Sequence, residues 1–97
     1  MSMYDPPHPG EFIRKVYLEE LSVSSRTVAA KLNVSPSTFT RLLNGKSSIT
    51  PEMALRLSKT LGRSPESWLA MQNNYDLWQT RQHINLDAVE KLEFATQ

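Results

Sequence analysis

The sequence predicts an all-α domain of five helices followed by a short polar tail. Three observations carry the prediction. Ser-Pro or Thr-Pro pairs occur at Ser35-Pro36, Thr50-Pro51 and Ser64-Pro65, each ahead of apolar residues at helical spacing. A hydroxyl at an N-cap accepts a free helix N–H, and proline at the first helical position has no N–H to leave unpaired. No stretch alternates as a strand would, and at 97 residues without cysteine the chain is long enough to close one core without disulfides.

In chain order, Phe12, Ile13, Val16 and Tyr17 mark one face of a first helix over residues 10–20. Ser24 can cap a second helix over 25–32, with Val28, Ala29 and Leu32 inward. Asn33 can end it, because asparagine tolerates the left-handed conformation. The small Ala29-Ala30 pair suits a close helix crossing, and Val34 supplies an apolar plug in the turn. A third helix over 36–44 sorts its residues cleanly at about 100° each. Phe39, Leu42 and Leu43 fall inward, Ser37, Arg41 and Asn44 opposite them, and Thr38 and Thr40 on the flanks.

Helix four is expected over 51–61 with Gly62 beyond, and helix five over 65–81. Glu52 and Glu66 place negative charge at the positive ends of these two helices. Trp68, Met71, Tyr75 and Trp78 form a stripe along helix five that can close the core or meet another subunit. Past Arg81 the chain turns polar. Asn85 could cap one more short helix carrying Leu86, Val89 and Leu92, but so short a helix needs something to pack on. Residues 1–81 are therefore expected to be one domain, and 82–97 a tail that is either a dimer or partner arm or a frayed end.

Charge narrows the function. Net charge is only +1, yet the 31 residues between Glu20 and Glu52 contain no carboxylate and hold Arg26, Lys31, Arg41 and Lys46. A polyanion would be drawn there, although a solvated face that happens to lack acids reads the same on charge alone. The short second and third helices, joined by Asn33-Val34-Ser35, form the helix-turn-helix pattern, and that decides between the two. The outward face of helix three can meet base edges in a major groove: arginine grips guanine, hydroxyls serve as donor or acceptor, and a threonine methyl can touch thymine. The candidate DNA-binding residues are Ser25, Arg26, Ser35, Ser37, Thr38, Thr40, Arg41, Asn44 and Lys46, with Arg26 and Lys46 set for phosphates.

Catalysis finds little support. His8 lies among prolines, His83 lies in the polar tail, and no His, Asp or Glu pair has metal-ligand spacing or a recognisable triad motif. No cofactor or metal is expected. The start of the chain lacks a basic segment followed by a long apolar run, and no stretch approaches 18 apolar residues, so a soluble, cytoplasmic protein without membrane partners is expected.

Four blocks carry a resemblance: His8-Pro9-Gly10-Glu11, Leu42-Leu43-Asn44-Gly45-Lys46, Ile49-Thr50-Pro51-Glu52-Met53-Ala54-Leu55-Arg56-Leu57, and Trp68-Leu69 with Gln72 and Tyr75-Asp76-Leu77-Trp78. Together the chain resembles the HigA/VapI antitoxins of the Xre/Cro-type helix-turn-helix group over residues 6–78. The resemblance implies a lambda-repressor-like fold and a homodimeric repressor of its own operon. It also implies a co-encoded HigB/RelE-like toxin that cleaves messenger RNA, neutralised by this chain. A stand-alone Xre/Cro-type repressor without a toxin partner, and a protein-binding module using the motif as scaffold, share the same domain physics. The sequence departs from the family pattern at Ser25, where glutamine is usual, at Pro36, where arginine or another polar residue is usual, and at Asn33, where glycine is usual. Asn33 and Pro36 both suit their backbone positions.

Overall fold

A computed structural model describes residues 5–93. Among these the chain is all-α. Helix α1 (Pro9–Ile13) runs without a break into a π-helical segment (Arg14–Glu19), followed by α2 (Ser25–Leu32), α3 (Pro36–Leu43), α4 (Pro51–Leu61) and α5 (Pro65–Arg81). The hydroxyl caps form as the sequence predicts. Ser24, Ser35, Thr50 and Ser64 accept from the backbone N–H of Thr27, Thr38, Met53 and Ser67, and proline opens α3, α4 and α5. Each such cap contributes about 1 kcal/mol. No helix among the described residues is long and apolar enough to cross a membrane.

The first helix departs from the expected α geometry. Through Arg14–Glu19 it widens to a π-helix, whose i→i+5 bonding draws side chains five apart toward one another. Phe12 and Tyr17 meet edge to face at 6.2 Å, and both rings lie 6.1 Å from Trp68. The widening turns Val16 outward, 41% exposed against the expectation that it faces the core. Trp68 is wholly buried and donates Nε1–H to the Gly62 carbonyl at 2.8 Å. Burial of an indole is worth on the order of 4–5 kcal/mol. Arg63, at a left-handed φ of 65°, holds its guanidinium 5.3 Å from the Phe12 ring centre and closes the cluster from outside.

Ile13, Leu32, Phe39, Leu42, Leu57 and Trp68 form the centre of the core, with Ala29 and Ala54 where helices cross. Of the Ala29-Ala30 pair only Ala29 is buried; Ala30 faces solvent. The stripe on α5 divides likewise, with Trp68 in the core and Met71, Tyr75 and Trp78 half-buried. Beside Trp68, Gln72 is buried and bridges two elements. It accepts from Ile49 N–H at 2.8 Å and donates to Asp76 at 3.0 Å.

Three helices end in the same way. The N–H groups of Ser22 and Val23, of Asn33 and Val34, and of Gly45 and Lys46 bond back to the last open carbonyls of the first helix, α2 and α3. In each case the first residue of the pair sits at positive φ, 54°, 61° and 75° respectively. This double bond pattern requires a left-handed residue just past the helix, which is the role expected of Asn33.

The tail does not form the helix that Asn85 could have capped. Asn85 instead accepts from Asp87 N–H in a local turn, and Leu86, Val89 and Leu92 are 58%, 70% and 70% exposed. The radius of gyration, 17.2 Å, exceeds the roughly 12–13 Å of a compact chain this long, so the segment projects from the body. Among the described residues nothing covers its apolar side, which therefore has no surface on which to stabilise a helix. Residues 94–97, the end of the expected arm, and 1–4 lie outside the described residues.

Helix α1 is locked to α3 by a close approach. A Cβ on Gly10 would overlap the Leu42 carbonyl oxygen and fall 2.9 Å from Leu43 Cα. Gly10→Ala is therefore expected to cost at least about 2–3 kcal/mol, because backbone rather than a flexible side chain must move. A thermal melt should show the midpoint lowered by roughly 10 °C or more.

His8 caps α1, its Nδ1 accepting from Gly10 N–H at 2.9 Å, while its ring meets Tyr75 edge to face at 4.9 Å. Burial lowers the imidazole pKa below its ordinary 6.5, opposed by a hydrogen bond to the Ser47 backbone and by the Asp76 charge. Protonation would also remove the acceptor and set a cation at a positive helix end. The neutral ring is the form the fold favours. Its contribution to stability is thus complete above pH 6.5 and fades as pH falls through the folded value. Melts between pH 7.5 and 5 should show a steeper loss for the wild type than for His8→Asn, which keeps a capping acceptor without titrating; equal slopes would refute this.

Candidate nucleic-acid interface

The helix-turn-helix is α2, the turn Asn33-Val34-Ser35 and α3. Phe39, Leu42 and Leu43 are buried beneath α3, so Ser37, Thr38, Thr40, Arg41 and Asn44 are left exposed on its other side. The division of α3 into two faces is the one its spacing predicts. No carboxylate lies on α2, the turn or α3.

Two groups of candidate residues are tied together by bonds. At the start of α3, Ser35 Oγ accepts from Thr38 N–H at 3.2 Å, donates to Thr38 Oγ1 at 2.8 Å, and lies 3.3 Å from Ser37 Oγ. Ser35 is thus committed to capping, while Ser37 and Thr38 carry hydroxyls to the surface. At the end of α3, Lys46 N–H donates to the Arg41 carbonyl at 2.8 Å and Gly45 N–H to that of Leu42 at 3.1 Å. That turn draws the Lys46 backbone toward Arg41. Arg26 is exposed and Ser25 half-buried, both in the first turn of α2. No hydrogen bond among the described residues joins either of them to α3.

Two residues that sequence reasoning does not single out hold this unit from outside. Arg14, from the π-helical segment, donates through Nη2 to the Leu43 carbonyl at 3.0 Å and to Asn44 Oδ1 at 2.7 Å. Arg56, from α4, donates to the Leu32 and Asn33 carbonyls at 2.8 and 3.2 Å and pairs with Glu52 at 2.8 Å. Each sets a guanidinium against the negative end of a motif helix. Nothing local could reveal these contacts with the motif, since the groups that accept them lie 23 to 30 residues away in the chain.

The arrangement offers hydroxyl, amide, guanidinium and ammonium groups on a convex helix, with donors in excess and no acid on α2, the turn or α3 themselves. Such a surface suits the acceptor-rich edges and phosphates of a DNA groove. The described residues contain no group of three His, Asp or Glu positioned to hold a metal ion.

Comparison with known proteins agrees with this geometry. The helix-turn-helix family profile matches residues 13–68. The Escherichia coli protein YddM, named as an uncharacterized HTH-type transcriptional regulator, is 40% identical over 92 residues, covering 95% of this chain and 97% of that one. Antitoxin HigA-1 of Vibrio cholerae is 34% identical over 83 residues, covering 86% and 78%. Among solved structures, antitoxin GraA in complex with its operator superposes with a TM-score of 0.81 at 30% identity, covering 97% of this chain and 95% of that one.

Proposed function

The chain belongs to the helix-turn-helix family, and from that premise we propose that it is the DNA-binding antitoxin of a type II toxin–antitoxin module. In this role it represses its own operon and neutralises a HigB/RelE-like, messenger-RNA-cleaving toxin. The observation that carries the reading is the exposed, acid-free face of α3. Similarity to HigA-1 and to GraA, the latter solved on its operator, supports it.

Repression acts by occupancy. Two copies of the chain set their α3 helices into successive major grooves, about 34 Å apart or a multiple of it, and block the promoter. Arg41 reads a base, the hydroxyls of Ser37, Thr38 and Thr40 adapt to neighbouring edges, and Arg26 and Lys46 hold phosphates. Ser25 flanks the phosphate path, and Ser35 acts through its cap on α3. Residues 1–81 form the DNA-binding unit and 82–97 an arm for the second copy or the toxin, working in the cytoplasm. The reading assigns the chain no catalytic step and no cofactor.

A second reading, a stand-alone repressor, accords with the likeness over nearly the whole chain to YddM, which is named as a transcriptional regulator. The neighbouring reading frame separates the two. A small basic protein there whose expression arrests growth, with growth restored by this chain, selects the antitoxin; its absence selects the repressor.

DNA recognition itself is tested by fluorescence-anisotropy titration against the DNA upstream of the gene and a scrambled control, at two salt concentrations. Arg41→Ala should lose about 1–3 kcal/mol on the upstream fragment and most of its preference over the control. Arg26→Ala and Lys46→Ala should weaken both fragments alike and reduce the salt slope by about one each. Equal weak binding of wild type and all three variants to both fragments would refute the assignment.

A further inference from the structure

We propose that Arg14 is a positioning residue for operator recognition: by donating to the Asn44 side-chain carbonyl, it fixes that amide with its NH2 group facing away from the protein. Asn44 then offers a donor at the end of α3. The inference rests on α3 being the DNA-binding face, as argued above.

Three observations carry it. Arg14 Nη2 lies 2.7 Å from the Asn44 side chain, and a guanidinium only donates, so the atom it meets must be the oxygen. A free asparagine amide has two orientations, related by a half turn, that present opposite chemistry outward. The second observation is that the guanidinium is itself held. The same Nη2 donates to the Leu43 carbonyl at 3.0 Å, and the helix bearing Arg14 is pinned to α3 by the Gly10 contact four residues earlier.

Third, Asn44 is exposed, and among the described residues its Nδ2 has no hydrogen-bond partner. At about 100° per residue, Asn44 lies within about 20° of Ser37 and 60° of Arg41 on the outward face. The outward NH2 suits an acceptor: a phosphate oxygen, guanine O6 or N7, adenine N7, or thymine O4. The exocyclic amines of adenine and cytosine would meet it donor to donor. An Asn44 freed from Arg14 could turn its oxygen to such an amine, so Arg14 sets what Asn44 can read.

The test is a double-mutant cycle, Arg14→Met and Asn44→Ala singly and together, titrated against the upstream fragment and the scrambled control. Arg14→Met should weaken binding about tenfold when Asn44 is present and less than about twofold in the Asn44→Ala background. Arg14→Lys, which keeps a donor, should recover part of the loss. If the acceptor is a phosphate the loss appears on both fragments, and if it is a base only on the upstream one; either result supports the proposal.

A second measurement needs no DNA. The two Asn44 side-chain amide proton resonances should be displaced from the exposed-asparagine average in the wild type and return toward it in Arg14→Met. Equal losses from Arg14→Met in both backgrounds, or unchanged Asn44 resonances, would overturn the proposal. If the wild type shows no preference for the upstream DNA while the resonances behave as expected, the operator reading falls and the amide lock stands.

Discussion

The contact on which the rest of the structure depends is the approach of the Gly10 backbone to the Leu42 carbonyl, closer than any side chain would permit. It brings α1 against the last turn of α3 and so fixes the axis of the helix that presents the outward face. Neighbouring residues take their places from it. One turn on, Arg14 reaches the end of α3; two residues earlier, His8 caps α1 and rests against Tyr75 of α5; between them Ile13 enters the core. The aim of α3 is set from outside the helix-turn-helix as much as from within it.

Short helices leave a large share of their carbonyls open, and eight-residue α2 and α3 cannot leave them buried and unpaired. The chain answers with left-handed residues at Asn33 and Gly45 and with arginines from neighbouring elements. This divides the basic residues by task. Arg14, Arg56 and Arg63 are engaged in holding the fold, whereas Arg26, Arg41 and Lys46 are exposed and form no salt bridge among the described residues. Counting charges over the whole chain, with a net +1, hides that division.

What was legible in the sequence was local. Hydroxyl caps, first-turn prolines and the left-handed turn at Asn33 are decided within four residues, and the two faces of α3 follow from helical spacing alone. What was not legible depends on distant partners or on geometry that competes with the α period. The π-helical widening goes with the packing of Phe12 and Tyr17 on Trp68, about fifty residues further on, and the 3.6-residue period of an α-helix places Val16 on the wrong side. The His8-Pro9-Gly10-Glu11 block was visible only as a likeness, and its physical reason lies in a contact with position 42. Among the site residues, exposure and lack of acid could be read from the sequence, but the commitment of Ser35 to its cap and the bond between Arg14 and Asn44 could not.

The separation of labour on α3 bears on how such a protein can change over time. Ser37, Thr40 and Arg41 carry none of the apolar packing that holds the helix, and the side chains of Thr40 and Arg41 form no hydrogen bond among the described residues. Replacement of these by other polar side chains would leave the packing beneath undisturbed. A duplicated gene could therefore drift to a new DNA target one substitution at a time without passing through an unfolded intermediate sequence. Several such proteins could then share one cell while each governs its own promoter.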